Sequence, residues 1–126
     1  MQDRTMLQFD YQDAGGGVIT AVFGEPQGRS WWRVAIHIGE RMLVLSVDED
    51  TDQIEATLEP VAVGGDWRPI HALDPIVGRS LGWCWVGRNS QGYLDMFSLG
   101  FDGIEPEVLF LAEASALRLK RISDIG

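Results

Sequence analysis

The sequence predicts an all-β fold, or a mainly β fold with one short helix, built as an antiparallel meander that forms a small sandwich or an open barrel. Three observations point there. Apolar residues recur mostly at every second position, the period of a strand with one face in a core. Turn-forming residues return about every 8 to 12 positions, and the segments between them amount to about eight strands. The 126 residues, 45% hydrophobic and 23% charged, fit one β-rich globular domain over 1–126. A folded chain of this length has a radius of gyration of about 14 Å and buries about two thirds of its extended surface, enough for one core.

Met6-Leu7-Gln8-Phe9 is a modest first strand candidate, broken by Ala14-Gly15-Gly16-Gly17. Val18 to Phe23 reads as the next strand and Gly24-Glu25-Pro26-Gln27-Gly28-Arg29 as turn chemistry. From Trp31 to Ile38, Trp32, Val34, Ile36 and Ile38 share one face, with Trp31, Arg33, Ala35 and His37 on the other. Gly39-Glu40 makes a tight connection to Met42-Leu43-Val44-Leu45-Ser46-Val47, which is apolar on both faces as a central strand is. After a turn at Asp48 to Asp52, Ile54, Ala56 and Leu58 alternate with Gln53, Glu55, Thr57 and Glu59, so one side of that strand faces water.

Pro60 to Ser80 is the least regular stretch, with a loop at Gly64-Gly65-Asp66 and one helical turn expected over Pro69 to Leu73, Asp66 being its candidate cap. Alternation returns at Leu81, Trp83 and Trp85, followed by a hairpin connection at Asn89-Ser90-Gln91-Gly92 and a strand from Tyr93 to Phe101. Asp102-Gly103 is a strong turn signal. Residues 105–122 admit two readings: two strands, Val108 to Ala112 and Ala116 to Ile122, or one helix beginning near Pro106. Helix propensity favours the helix, but the alternation of Leu117, Leu119 and Arg121 with Ala116, Arg118 and Lys120 favours strands, which is the reading adopted.

Nineteen acidic against ten basic residues give a net charge of −9, and the Lys and Arg residues cluster nowhere except Arg118-Leu119-Lys120-Arg121. A surface that tracks phosphates needs clustered positive charge, so a nucleic acid is not expected as a ligand, whereas a basic partner is compatible. The lone Cys84 allows no internal disulfide, and between Trp83 and Trp85 it is expected as a buried, inert thiol, which suits a reducing cytoplasm. No apolar run reaches the roughly 18 residues that span a bilayer, and no signal-peptide pattern opens the chain, so no membrane association is expected.

Asp48-Glu49-Asp50-Thr51-Asp52 places acids at positions one, three and five of a calcium-loop pattern, with Glu59 at position twelve. Gln53 stands where that loop needs Gly, and an extended 53–59 puts Glu59 about 20 Å from the turn, which excludes an EF-hand. His37 and His71 lack the nearby ligands of a readable zinc site. His71, Asp74 and Ser80 suggest a hydrolytic trio, but Gly78-Arg79-Ser80-Leu81-Gly82 precedes a strand, where a nucleophile elbow must follow one. Gly15-Gly16-Gly17 has no Lys-Ser/Thr after it and reads as a connector. No cofactor, metal or catalytic residue is therefore expected. Adjacent Trp31 and Trp32 must point oppositely; an outward Trp31 beside Arg33 would be an interaction anchor, because Trp and Arg are enriched at binding hot spots.

Three stretches together resemble a family of small bacterial domains of unknown function: Val47 through Ile54, Trp83-Cys84-Trp85 with Asn89 through Asp95, and Leu111 through Ser115. The resemblance spans about residues 42 to 122. It implies bacterial origin and a single β-rich domain, implies no catalytic residue, and singles out Asp50, Asp52, Asn89, Gly92, Tyr93 and Asp95. The expected function is a non-enzymatic protein-interaction or binding domain, immunity-like as a special case, whose partner is a basic protein or its own copy in a homodimer. Its candidate binding residues are Trp31, Arg33, Asp50, Asp52, His71, Asn89, Tyr93 and Asp95. The competing reading is a small-ligand-binding barrel or cryptic hydrolase using Asp95, His37, His71 and Asp74.

Overall fold

A two-residue connection at Gly28-Arg29 joins β1 (Ile19–Gln27) to β2 (Ser30–Ile38), pairing Gln27 with Ser30. Gly28 there has a φ of +62°, which only glycine adopts without strain. This is the computed structural model of the chain, and it describes residues 17–48, 50, 53–61, 66–88, 90, 92, 94–101, 107–113 and 116–121. A second tight hairpin at Gly39-Glu40 leads into β3 (Arg41–Val47), and the chain then turns into β4 (Ile54–Pro60). The stretch expected as a turn from Gly24 is thus largely strand: β1 runs on to Gln27, and the turn itself needs only two residues.

β5 is the short Arg68–Pro69, paired with Phe23 and Gly24 of β1. A 3₁₀ helix, His71–Ile76, follows, with Leu73 and Ile76 buried. The helical turn therefore begins two residues later than expected, and Ile70 in extended geometry precedes it with no side-chain cap, so Asp66 does not cap it. The second half of the fold is a meander of β6 (Trp83–Arg88), β7 (Leu94–Gly100), β8 (Val108–Glu113) and β9 (Ala116–Arg121). The last two are paired strands from Val108 to Glu113 and from Ala116 to Arg121, and Val108 and Phe110 bury in the core two positions apart, the strand period and not the helical one. The candidate strand at Met6 to Phe9 and the turn at Asp102-Gly103 lie outside the described residues.

All pairings among the described residues are antiparallel, and the sheet curls into a half-barrel, in line with the open-barrel expectation. β2 is its hub. β1 lies along one edge of β2, while β3 and, at Trp31 opposite Leu117, β9 follow one another along its other edge. The start of β1 also reaches the segment before β6: Val18 bridges Ser80, the Ile19 N–H donates to the Arg79 carbonyl at 2.9 Å, and the Leu81 N–H donates to the Gly17 carbonyl at 2.9 Å. Next to this seam the Gly82 N–H donates to the Gly100 carbonyl, and an added Cβ on Gly82 would stand 2.1 Å from the Phe101 carbonyl oxygen, so a side chain there is incompatible with the approach.

The concave face holds the core: Ile19, Val34, Ile36, Leu43, Leu45 and Ile54 from the first half meet Leu81, Phe97, Leu99 and Phe110 from the second. Each such side chain contributes about 1.5–3 kcal/mol on burial. The opposite face of β2 and β3 buries Ala35, Met42 and Val44 under Trp67, which explains why β3 is apolar on both faces. Arg79 staples the seam from outside, its guanidinium donating to both Glu107 carboxylate oxygens at 2.9 and 3.1 Å and lying over the Phe101 ring at 4.6 Å.

Candidate functional site

The strict alternation expected across Trp31 to Ile38 breaks at its start. Glu25 of β1 pairs with Arg33, yet the next β1 residue, Pro26, pairs with Trp31, so Trp32 is the extra residue of a β-bulge. The bulge reverses the faces of the tryptophan pair. Trp31 packs against the main core, its ring directly over Gly24, where an added Cβ would come within 2.5 Å of Cε3. Trp32 instead lines a cleft on the outside of the sheet, beside Arg33. The outward anchor expected at Trp31 is therefore one residue further along the chain.

This cleft encloses about 700 Å³ and is open to solvent. The end of β1 contributes Glu25, Pro26 and Gln27, β2 contributes Trp32 and Arg33, and the segment entering β5 contributes Asp66 and Arg68. Arg33 is its organising residue. Its Nε–H donates to Glu25 Oε1 across the hairpin, and its guanidinium carbon stands 4.8 Å from the centre of the Trp67 ring. The hydrogen bond to Glu25, against the cost of partial burial, holds the Arg33 guanidinium charged above its ordinary pKa. Held at its head by Glu25 and Trp67, the Arg33 side chain remains 41% exposed, so its charge is oriented and still reachable. Arg68 and Asp66 are exposed at the rim.

The other candidates are scattered. Asp50 is exposed at the β3–β4 connection, where its N–H donates to Asp48 Oδ1 at 2.9 Å, an Asx-type turn. Glu59 pairs with Met42 at the far end of that ladder, as the exclusion of an EF-hand requires. His71 is exposed on the 3₁₀ helix with Nδ1 3.3 Å from Asp74 Oδ2. His37 lies on the outer face of β2, edge-to-face with Phe23 at 5.0 Å, and its burial lowers its pKa. Asp95 is half-buried on β7. None of His37, His71, Asp74 or Asp95 lines the cleft. Asp52, Asn89 and Tyr93 lie outside the described residues. Among the described residues no group of three His, Cys, Asp or Glu side chains is arranged to hold a metal ion, and no helix is long and apolar enough to cross a membrane. Cys84 packs against the core, where burial pushes its thiol up to about 12.

Of the cleft residues, the sequence signals only Arg33. Glu25 is recognisable as its partner once the turn is confined to Gly28-Arg29, because a two-residue connection brings 25 and 33 across the hairpin when one bulged residue intervenes. Asp66 and Trp67 carry no periodic signal because they belong to the irregular connection from β4 to β5, and Arg68 carries none because β5 is only two residues long.

Fold and cleft together define a β half-barrel with a charged groove on its outer side. The chain belongs to DUF6334, a family of unknown function, whose model matches residues 1–126. No curated protein and no solved structure gives a significant match to it.

Proposed function

We propose that the protein is a non-enzymatic binding domain of the bacterial cytoplasm that engages another protein through the Trp32–Arg33 cleft. One observation carries this reading: a tryptophan and a pre-oriented arginine stand side by side in an open groove, and these two residue types dominate binding energy at protein interfaces. Glu25 and Trp67 fix the Arg33 side chain beforehand, so little conformational entropy is lost on binding. The net charge of −9 favours a partner basic over most of its surface and speeds its encounter. An immunity-like role against a basic effector is one such case, and a second copy of the chain is the other partner to test. The cleft volume also falls in the range of small-molecule sites, which supports ligand binding as a second reading.

The test is affinity capture with the full chain from native bacterial lysate, comparing wild type with Trp32→Ala and Arg68→Ala at low and high salt. The expected result is a stoichiometric protein retained by wild type, weakened by salt and reduced at least tenfold by either substitution. Capture that neither substitution changes refutes the cleft as the working surface. Absence of any protein, including a second copy, leaves the small-ligand reading.

A further inference from the structure

We propose that the cleft receives a carboxylate, supplied by an acidic side chain of the partner protein, on Arg33 and Arg68, with the adjoining apolar part of the partner against Trp32. This rests on the reading of the cleft as the binding surface and names the chemistry it selects.

Exposed charge carries the argument. The molecule is strongly acidic, yet its cleft offers two arginines. Glu25 and Arg33 form one ion pair, but the Arg33 side chain is 41% exposed and that of Glu25 only 19%, so the positive end of the pair is the one that faces an incoming group. Glu25 takes the Nε–H of Arg33 and leaves the Nη donors of the guanidinium fork, which match a carboxylate in plane and spacing. The cation–π contact with Trp67, at 4.8 Å from the ring centre, helps to hold that fork in place. Arg68 adds a second positive charge from β5, while Asp66 at the rim disfavours a purely anionic surface. A lone carboxylate within a partner that is basic elsewhere satisfies both the local and the overall charge. Trp32 then supplies an aromatic wall for the residue beside it.

The experiment uses ¹⁵N-labelled full-length protein and follows the Arg33 Nε–H and Trp32 Nε1–H resonances on titration with acetyl-Phe-Glu-amide, acetyl-Phe-Gln-amide, benzoate and benzamide. The glutamate peptide is expected to shift both resonances and to bind at least tenfold more tightly than the glutamine peptide. Arg33→Gln and Arg68→Gln should each weaken it by threefold or more. Because Arg68 is exposed on a two-residue strand, its variant remains informative if Arg33→Gln fails to fold. Equal binding of the glutamate and glutamine peptides, or no shift at either resonance, overturns the carboxylate assignment. Benzoate binding tighter than the glutamate peptide overturns the partner-protein source and points to a free acid. These titrations need no captured partner, so their failure is distinct from failure of the capture experiment.

Discussion

Replacing Trp31 and Trp32 separately by alanine tests the bulge on which the cleft depends. Truncating a buried aromatic residue costs about 3–5 kcal/mol. Trp31 is half-buried but packs on the main core, and beneath it Gly24 has no side chain that can move into the void. Trp31→Ala is therefore expected to destabilise the fold by about 2–4 kcal/mol. Trp32 borders an open groove, and Trp32→Ala is expected to cost no more than about 1 kcal/mol. Urea unfolding followed by far-UV circular dichroism measures both. Gly24→Ala adds an independent check. In the wild type its methyl meets the Trp31 ring and the end of Ile70, and overpacking of this kind costs about 1–3 kcal/mol. In the Trp31→Ala background the same methyl fills the space left by the ring, so the double variant should lose clearly less than the sum of the two. A Trp32→Ala loss equal to or larger than that of Trp31→Ala, or strict additivity of the Gly24 and Trp31 changes, would refute the reversed faces.

Two further expectations concern half-buried titratable groups. With its thiol pushed up to about 12 by burial, Cys84 should react with iodoacetamide at pH 8 at least about a hundredfold more slowly in the native protein than in urea; comparable rates would contradict its packing. His37 has a folded-state pKa lowered by burial, so the unfolded chain binds more protons as pH falls below about 6.5. Stability should accordingly fall as pH drops from the unfolded value toward the folded one and level off below it, and His37→Gln should flatten that part of the urea-midpoint profile. An unchanged profile in the variant rules His37 out as its source.

The strands were legible because each half of the sheet keeps one face in the core: Ile54 and Ala56 inward with Glu55 and Thr57 outward is a pattern that a one-residue slip would destroy. Met42 to Val47 was legible as central for the opposite reason, apolar residues on both faces, although its second covering, Trp67, was not. The faces of Trp31 and Trp32 were hidden because a bulge adds a residue without changing composition; the extra residue shows only in the pairing of Glu25 and Pro26 with β2. The cleft was hidden with it. Half of its charge comes from Asp66 and Arg68, on a connection whose course is set by the pairing of Arg68 and Pro69 with β1 and by no local periodicity.

The seams of the half-barrel also bear on how fast the chain folds. Most of its pairings join neighbouring strands and form two local meanders, β1 to β4 and β6 to β9. The meanders meet through Trp31 with Leu117 and through Val18 with Ser80, each pair more than sixty residues apart in sequence. Such distant pairings place a β protein among slow folders, on the millisecond-to-second scale. Formation of these distant pairings is therefore expected to limit the folding rate, and Trp31→Ala, at one of the joints and against the shared core, is expected to slow folding as well as hasten unfolding in stopped-flow urea jumps.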